Sequence, residues 1–350
     1  MAGSAGLTAY PLGDASGGPG GAEAGLRPER LLRQLEWRVI RRLDGLLQGN
    51  YRSLFRGSGL DFTDLREYVP GDDPRHIEWN VTARLDEPWV REYVEDRELT
   101  AWLVLDHSAS MAFGPVDRQK HLVLAEVATT LAHVLTRGGN RVGAVLLDRG
   151  VEQVIPPASG RTQVLRIAGA LLSKRDAATA EATETPGSSW SERRRERRRE
   201  RRQARVRGAT QPYAVTDLGP ALDHVARLAR RRSLVVVVSD FIAQPGWEAP
   251  LGRLTQRHDV VALQVTDPRE VELPDAGSIW VEDVETGEQI FVDTSDPAFR
   301  ARLRSAAEAR EDELLSLAAR AGVDLHRVGT DEDLVLALVR VSTLRRRRRR

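Results

Sequence analysis

There is no cysteine anywhere in the 350-residue chain. Disulfides, zinc–thiolate sites and a cysteine nucleophile are therefore excluded, and a reducing compartment suits such a chain. No apolar run approaches the roughly 20 residues of a membrane span. The longest runs, such as Leu234–Val238, have the length of a strand. The start of the chain has no basic segment followed by an apolar one, so no secretory signal is read there and a cytoplasmic location is expected. There is no GxxxxGK[ST] loop to cradle a nucleotide and no G-x-S-x-G elbow to present a nucleophilic serine. No H-x-x-x-H pair offers two metal ligands on one helix face. A dominant charge is missing too: the formal net charge is +1, so the molecule as a whole is no polyanion binder.

Hydrophobic residues make up 41% of the chain, enough for a substantial core, but they are unevenly spread. Residues 1–27 are Gly/Ala-rich without periodicity and are expected to be disordered. From Pro28 the spacing of Leu32, Leu35, Val39, Leu43 and Leu46 predicts a helix ending near Gly49-Asn50. Residues 51–98 are rich in charges, aromatics and turn formers, and are expected to lie across the surface of the domain that follows. That second segment, with the helix, forms an N-terminal unit over 28–98.

From residue 99 to 344 the pattern alternates between short apolar strands and amphipathic helices. Strands are predicted at Ala101–Leu105, Val142–Leu147, Leu234–Ser239, Val260–Val265 and Val323–Val328. Helices are predicted at Leu122–Leu135, from Thr162 through Leu172, and at Leu218–Ala229, Trp247–Thr255, Asp296–Ala321 and Asp331–Leu344. A continuous apolar strand such as SLVVVVSD suits a sheet covered on both faces. The expected fold is α/β, an open, mostly parallel, doubly wound sheet with helices on both faces. Residues 174–211 interrupt it with SERRRERRRERRQARVR, whose Glu–Arg spacing suits a solvated, partly helical excursion. The terminal Arg345–Arg350 are read as an unstructured tail.

In open α/β sheets ligands bind beyond the carboxyl ends of the strands. Asp106, Ser108 and Ser110 follow the first strand as D-x-S-x-S, Thr216 precedes a helix, and Asp240 follows the central strand. Two carboxylates and three hydroxyls are hard oxygen ligands, suited to magnesium, or to manganese as the alternative ion, with part of the octahedron supplied by water. Alternation in D-x-S-x-S lets one loop turn three side chains to one point. By itself such a run is equally well a helix cap, and Thr216 and Asp240 in matching positions favour the metal. Ser239 either orients Asp240 or ends its strand. Histidine as a residue type suits proton transfer near neutral pH, but His107 sits at an x position of the motif, which is expected to point away from the others. A magnesium-dependent phosphatase would want an acid where Ser108 stands. A nucleic-acid binder would use the Arg/Glu insertion, whose glutamates weaken its field.

The five positions resemble the metal-ion-dependent adhesion site of von Willebrand factor A domains. The stretch GSGLDFTDLREYVPGDDPRHIEWNVTARLDEPWVREYVEDRE, followed by LVLDHSASMAFG, is similar to the bacterial "domain of unknown function 58" family, from about Arg56 to Leu344. That resemblance implies a magnesium site at Asp106, Ser108, Ser110, Thr216 and Asp240, and a protein-interaction role rather than chemistry. It further implies a MoxR-type AAA+ ATPase as partner, or an acidic client protein. Arg66, Tyr68, Pro70, Gly71, Asp72, Asp73, Arg75, Trp79 and Arg84 stand out as the family segment, either a partner surface near the metal rim or a structural turn. Trp79 and Trp89 are read as packing residues.

Overall fold

The structure, a computed structural model, describes residues 7–10, 27–43, 64–70, 72, 74, 77–85, 87–92, 99–114, 118–183, 216–283 and 289–348. Most of the Arg/Glu insertion, the end of the predicted first helix, and Gly71, Asp73 and Arg75 lie outside the described residues.

Strand β1 (Leu7–Tyr10) is followed by helix α1 (Pro28–Leu35), whose Pro28 occupies the first turn, where a missing N–H costs nothing. One wide π-helical turn, Glu36–Ile40, follows directly. The buried stripe Leu31, Leu32, Leu35, Val39, Ile40 and Leu43 runs through both, and the wider turn brings Val39 and Ile40 to the same side. Strands β2 (Asp64–Glu67) and β3 (Trp89–Glu92) form an antiparallel ribbon around the short helix α2 (Trp79–Leu85).

The main domain then runs β4 (Thr100–Asp106), α3 (Lys120–Arg137), β5 (Arg141–Leu147), β6 (Val151–Ala158) and α4 (Arg161–Thr183). After the insertion come α5 (Leu218–Leu228), β7 (Leu234–Ser239), α6 (Glu248–Arg257) and β8 (Asp259–Thr266). Strands β9 (Ser278–Asp283) and β10 (Gln289–Asp293), helix α7 (Pro297–Arg320), strand β11 (Asp324–Gly329) and helix α8 (Leu334–Arg348) complete it. The six-stranded sheet has the order β11-β8-β7-β4-β5-β6. Its first five strands are parallel, and β6 returns antiparallel along β5 through the Asp148–Gly150 turn.

Strand side chains alternate between faces, and two cores result. Ala101, Leu103 and Leu105 of β4 pack with α1, α3, α4 and α8, whereas Trp102 and Val104 pack with α5, α6 and the end of α7. The expected α/β sheet covered on both faces is therefore observed.

Several expectations need correction. Leu7–Tyr10, in the stretch expected to be disordered, pairs with the edge of β9, because LTAY supplies an extended apolar and aromatic run to an open ladder. Helix α4 continues eleven residues beyond Leu172, to Thr183, since nothing in Ser173–Thr183 breaks a helix. Arg345 is no loose tail residue. It is 4% exposed, and its Nη2 donates to both carboxylate oxygens of Asp259 at 2.8 Å, tying α8 to the start of β8.

Candidate functional site

From β4 the chain crosses to β5 on one side, while β7 joins β4 on the other. The strand order reverses there, and in open α/β sheets the carboxyl ends of the strands at such a point are where ligands bind. Asp106 ends β4, and Asp240 directly follows β7.

The ends of the two strands are joined by side chains. Ser239 Oγ donates to Asp106 Oδ2 at 2.5 Å, and the Ser108 N–H donates to Asp106 Oδ1 at 3.0 Å. Ser108 and Ser110 hydroxyls lie 3.1 Å apart, so the D-x-S-x-S loop does turn its three side chains inward. Ser239 therefore orients Asp106 rather than Asp240. Its hydroxyl also accepts the Phe241 N–H at 2.8 Å. Asp240 is oriented by the Ile242 N–H, 3.0 Å from Oδ1. Phe241 sits in the left-handed region at φ +59, strained for a bulky residue. Its ring packs against Trp247 with centroids 5.4 Å apart, which holds the turn that aims Asp240.

Thr216 enters from the N-terminus of α5. Its carbonyl accepts the Gln244 N–H at 2.8 Å, which seats it against the loop after β7, and Asp217 caps the helix by accepting from the Gly219 N–H. Asp106, Ser108, Ser110, Thr216 and Asp240 are all buried. The Thr216 hydroxyl is buried without a hydrogen-bond partner. Such a group costs about 1–3 kcal/mol, and an oxygen left in this state suits a hard cation. The residues present fit magnesium or manganese.

Burial, and then the charge of Asp240, push the Asp106 carboxyl up to about 7, against hydrogen bonds from Ser239 and Ser108. A like charge nearby disfavours the ionised form of Asp106.

Lys120, at the first position of α3, is a participant that sequence reasoning missed. Its side chain is fully buried, and its Nζ lies 2.6 Å from Asp240 Oδ2 and 2.6 Å from Glu270 Oε1. The loop before it is shaped by Gly114 at φ +143, where a Cβ would come within 2.5 Å of the Arg118 carbonyl. Burial alone would lower the Lys120 ammonium, but Asp240 and Glu270 outweigh it and the net shift is upward. Burial raises Glu270, offset in part by Lys120. Glu270 closes a capping box at the end of β8: it accepts the Asp267 N–H at 3.1 Å, and Asp267 accepts the Thr330 hydroxyl at 2.6 Å. One signal in the chain marks Lys120. Of the 52 lysines and arginines, only Lys120 and Lys174 are lysine.

The described residues of the family segment are held by contacts of their own. Asp72 Oδ2 accepts the Val69 N–H at 2.9 Å, and the Asp72 N–H returns to the Val69 carbonyl at 3.0 Å, closing the turn that contains Pro70. Arg66 lies in β2 opposite Val90, and the Tyr68 N–H donates to the Pro88 carbonyl. Arg84 is exposed on α2. Trp79 is 68% exposed and does not pack as expected, because α2 is a short helix on a two-stranded ribbon and among the described residues no second layer covers it. Trp89 is partly buried, and its backbone N–H donates to the Thr82 hydroxyl at 3.0 Å. His107 donates its backbone N–H to the Leu147 carbonyl, extending the β4–β5 ladder. Among the described residues no helix is long and apolar enough to cross a membrane.

A family model described as "Protein of unknown function DUF58" matches residues 64–313. The chain is 34% identical over 316 residues to uncharacterized proteins of Mycobacterium tuberculosis strain H37Rv and Mycobacterium bovis, covering 90% of this chain and 89% of each relative. Among solved structures it is similar to the conserved hypothetical protein BatB from Bacteroides thetaiotaomicron, at 13% identity and a TM-score of 0.40, over 71% of this chain and 99% of that one. It is also similar to an aerotolerance-related membrane protein from Bacteroides fragilis, at 15% identity and a TM-score of 0.37, over 70% and 97% of the two chains.

Proposed function

The chain belongs to the family described as "Protein of unknown function DUF58", and from that premise we propose that it is a metal-ion-dependent protein-interaction module. Asp106, Ser108, Ser110, Thr216 and Asp240 would hold magnesium, or manganese in its place. A bound divalent cation supplies an open coordination position that takes a carboxylate from a partner protein. Asp106 and Asp240 hold their oxygens ready through the donors Ser239, the Ser108 N–H and the Ile242 N–H. The partner implied by the family resemblance is a MoxR-type AAA+ ATPase, and the alternative is an acidic client protein. The observation that carries this reading is the Thr216 hydroxyl, buried and unpartnered on a residue seated against the loop that carries Asp240.

Calorimetric titration of the purified chain with magnesium and with manganese tests it, alongside Asp106→Asn. The variant keeps the volume of the side chain and removes a buried charge, so it should stay folded while saturable metal binding is lost. A magnesium-dependent pull-down of a MoxR-type ATPase, absent with the variant, would extend the result to the partner. A folded wild-type chain with no saturable binding at millimolar metal would sink the reading.

A further inference from the structure

Lys120 is a lysine in a chain that otherwise uses arginine almost without exception. An arginine is a rigid planar fork suited to staying in place, whereas a lysine is a compact charge on a flexible four-carbon stem. Here that stem reaches from the first turn of α3, where the Lys120 N–H is anchored on the Phe113 carbonyl at 2.8 Å, into a closed pocket. The Phe113 ring covers the ammonium from 5.9 Å. The two anions it touches are not equivalent. Asp240 belongs to the oxygen set described above, while Glu270 belongs to the capping box that fastens the end of β8 to Thr330 through Asp267.

A cation ligated by Asp240 Oδ2 would sit about 2.0–2.1 Å from that oxygen. The ammonium is 2.6 Å from the same oxygen. Sharing one carboxylate within about 5 Å of each other in a buried pocket, the two cations repel and each weakens the other's hold on it. The charges nevertheless leave room for both elsewhere. With all three ionised, Asp106, Asp240 and Glu270 would set three negative charges against one ammonium, and a divalent cation would balance the remainder.

We propose that Lys120 is a built-in competitor of the divalent cation: it holds Asp240 in the metal-free protein, and withdraws onto Glu270 when the ion takes that carboxylate. The inference rests on the metal-site reading above and adds its regulation. Lys120 sets the metal affinity low, so that occupancy follows the ion concentration. Ion binding also loosens the tie between α3 and the end of β7, while the tie from α3 to the Pro268–Glu270 turn persists.

The test is magnesium calorimetry on the full chain, comparing wild type with Lys120→Met, which keeps the length of the side chain and removes its charge. Lys120→Met should bind magnesium at least about tenfold more tightly. Equal or weaker binding by the folded variant overturns the competition and leaves the metal site standing. If neither protein binds, the metal-site reading fails and the competition fails with it. If wild type is silent and Lys120→Met binds, the competition is upheld and the metal dependence of the natural protein is lost. Should Lys120→Met not fold, Glu270→Gln decides. Deprived of its alternative anion, Lys120 then stays on Asp240, and magnesium should bind several-fold more weakly; unchanged or tighter binding overturns the proposal. The rarity of lysine supplies a direct readout. With 15N-lysine labelling the side-chain spectrum of wild type has two residues to report. The Lys120 ammonium signal should move at saturating magnesium, and a signal that stays in place overturns its withdrawal.

Discussion

The Ser239 hydroxyl donates to Asp106 Oδ2 at 2.5 Å while accepting the N–H of Phe241, so one side chain joins the ends of the two central strands and fixes the turn that carries Asp240. All of these atoms are buried. Replacing Ser239 by alanine leaves a carboxylate oxygen and a backbone N–H without their partners. Ser239→Ala should therefore cost about 1–3 kcal/mol of stability. Urea denaturation, read as a lower midpoint with an unchanged slope, checks it. Magnesium binding should weaken in the same variant, because a hydrogen bond that favours ionised Asp106 has gone. A variant as stable as wild type would show that the strand ends are held by their ladder alone.

Arg345 and Asp259 make the second long-range tie that a stability experiment can read. The Arg345 side chain is almost fully buried, and Asp259 keeps some contact with water. Removing one member of a fully buried pair typically costs about 3–5 kcal/mol. The partial exposure of Asp259 places Arg345→Ala nearer about 2–3 kcal/mol. Thermal or urea unfolding measures it, and an unchanged melting temperature would return Arg345 to the loose tail that composition suggests.

His258 supplies a pH-dependent contribution. Its Nδ1 accepts the Ser233 N–H at 3.3 Å, which requires that nitrogen to be unprotonated. Burial, and then the neighbouring Arg257, lower its pKa below the ordinary histidine value. The folded protein thus binds the proton less well than the unfolded chain. Stability from this group is present above the unfolded pKa, about 6.5, and is lost as the pH falls below it. His258→Gln keeps an acceptor for Ser233 without a titrating ring. Its stability relative to wild type should improve between about pH 7.5 and pH 5, as read by urea denaturation at the two values. A constant difference would remove His258 as the cause.

The sheet was legible because its strands are written in a local code. Leu234–Val238 is apolar at every position, as a strand buried on both faces requires, and the strand they open forms the centre of the sheet. Asp106 and Asp240 were legible because each polar residue ends an apolar run, and strand ends in such sheets face the ligand side. Thr216 was legible from its place before a helix start, and Asp217 caps that helix. Lys120 and Glu270 were not legible as site residues. They stand 120 and 30 residues from Asp240 along the chain, on α3 and after β8. Each alone looks like an ordinary charged residue at an element terminus. Trp79 misled in the opposite way, since an aromatic side chain says nothing of whether a second layer exists to cover it.

Periodicity and strand-end chemistry are properties of neighbours in sequence, and from them the chain alone determined its α/β class, its alternation of elements and the oxygen ligands that could meet at one edge. Which charges meet, and which hydroxyls are left without partners, depends on distances between residues far apart in the chain. Those distances exist only once β4 and β7 are paired and α3 is packed across them. The tertiary structure therefore decided that Ser239 serves Asp106, that Arg345 is buried on Asp259, and that the candidate metal site holds an ammonium of its own in Lys120.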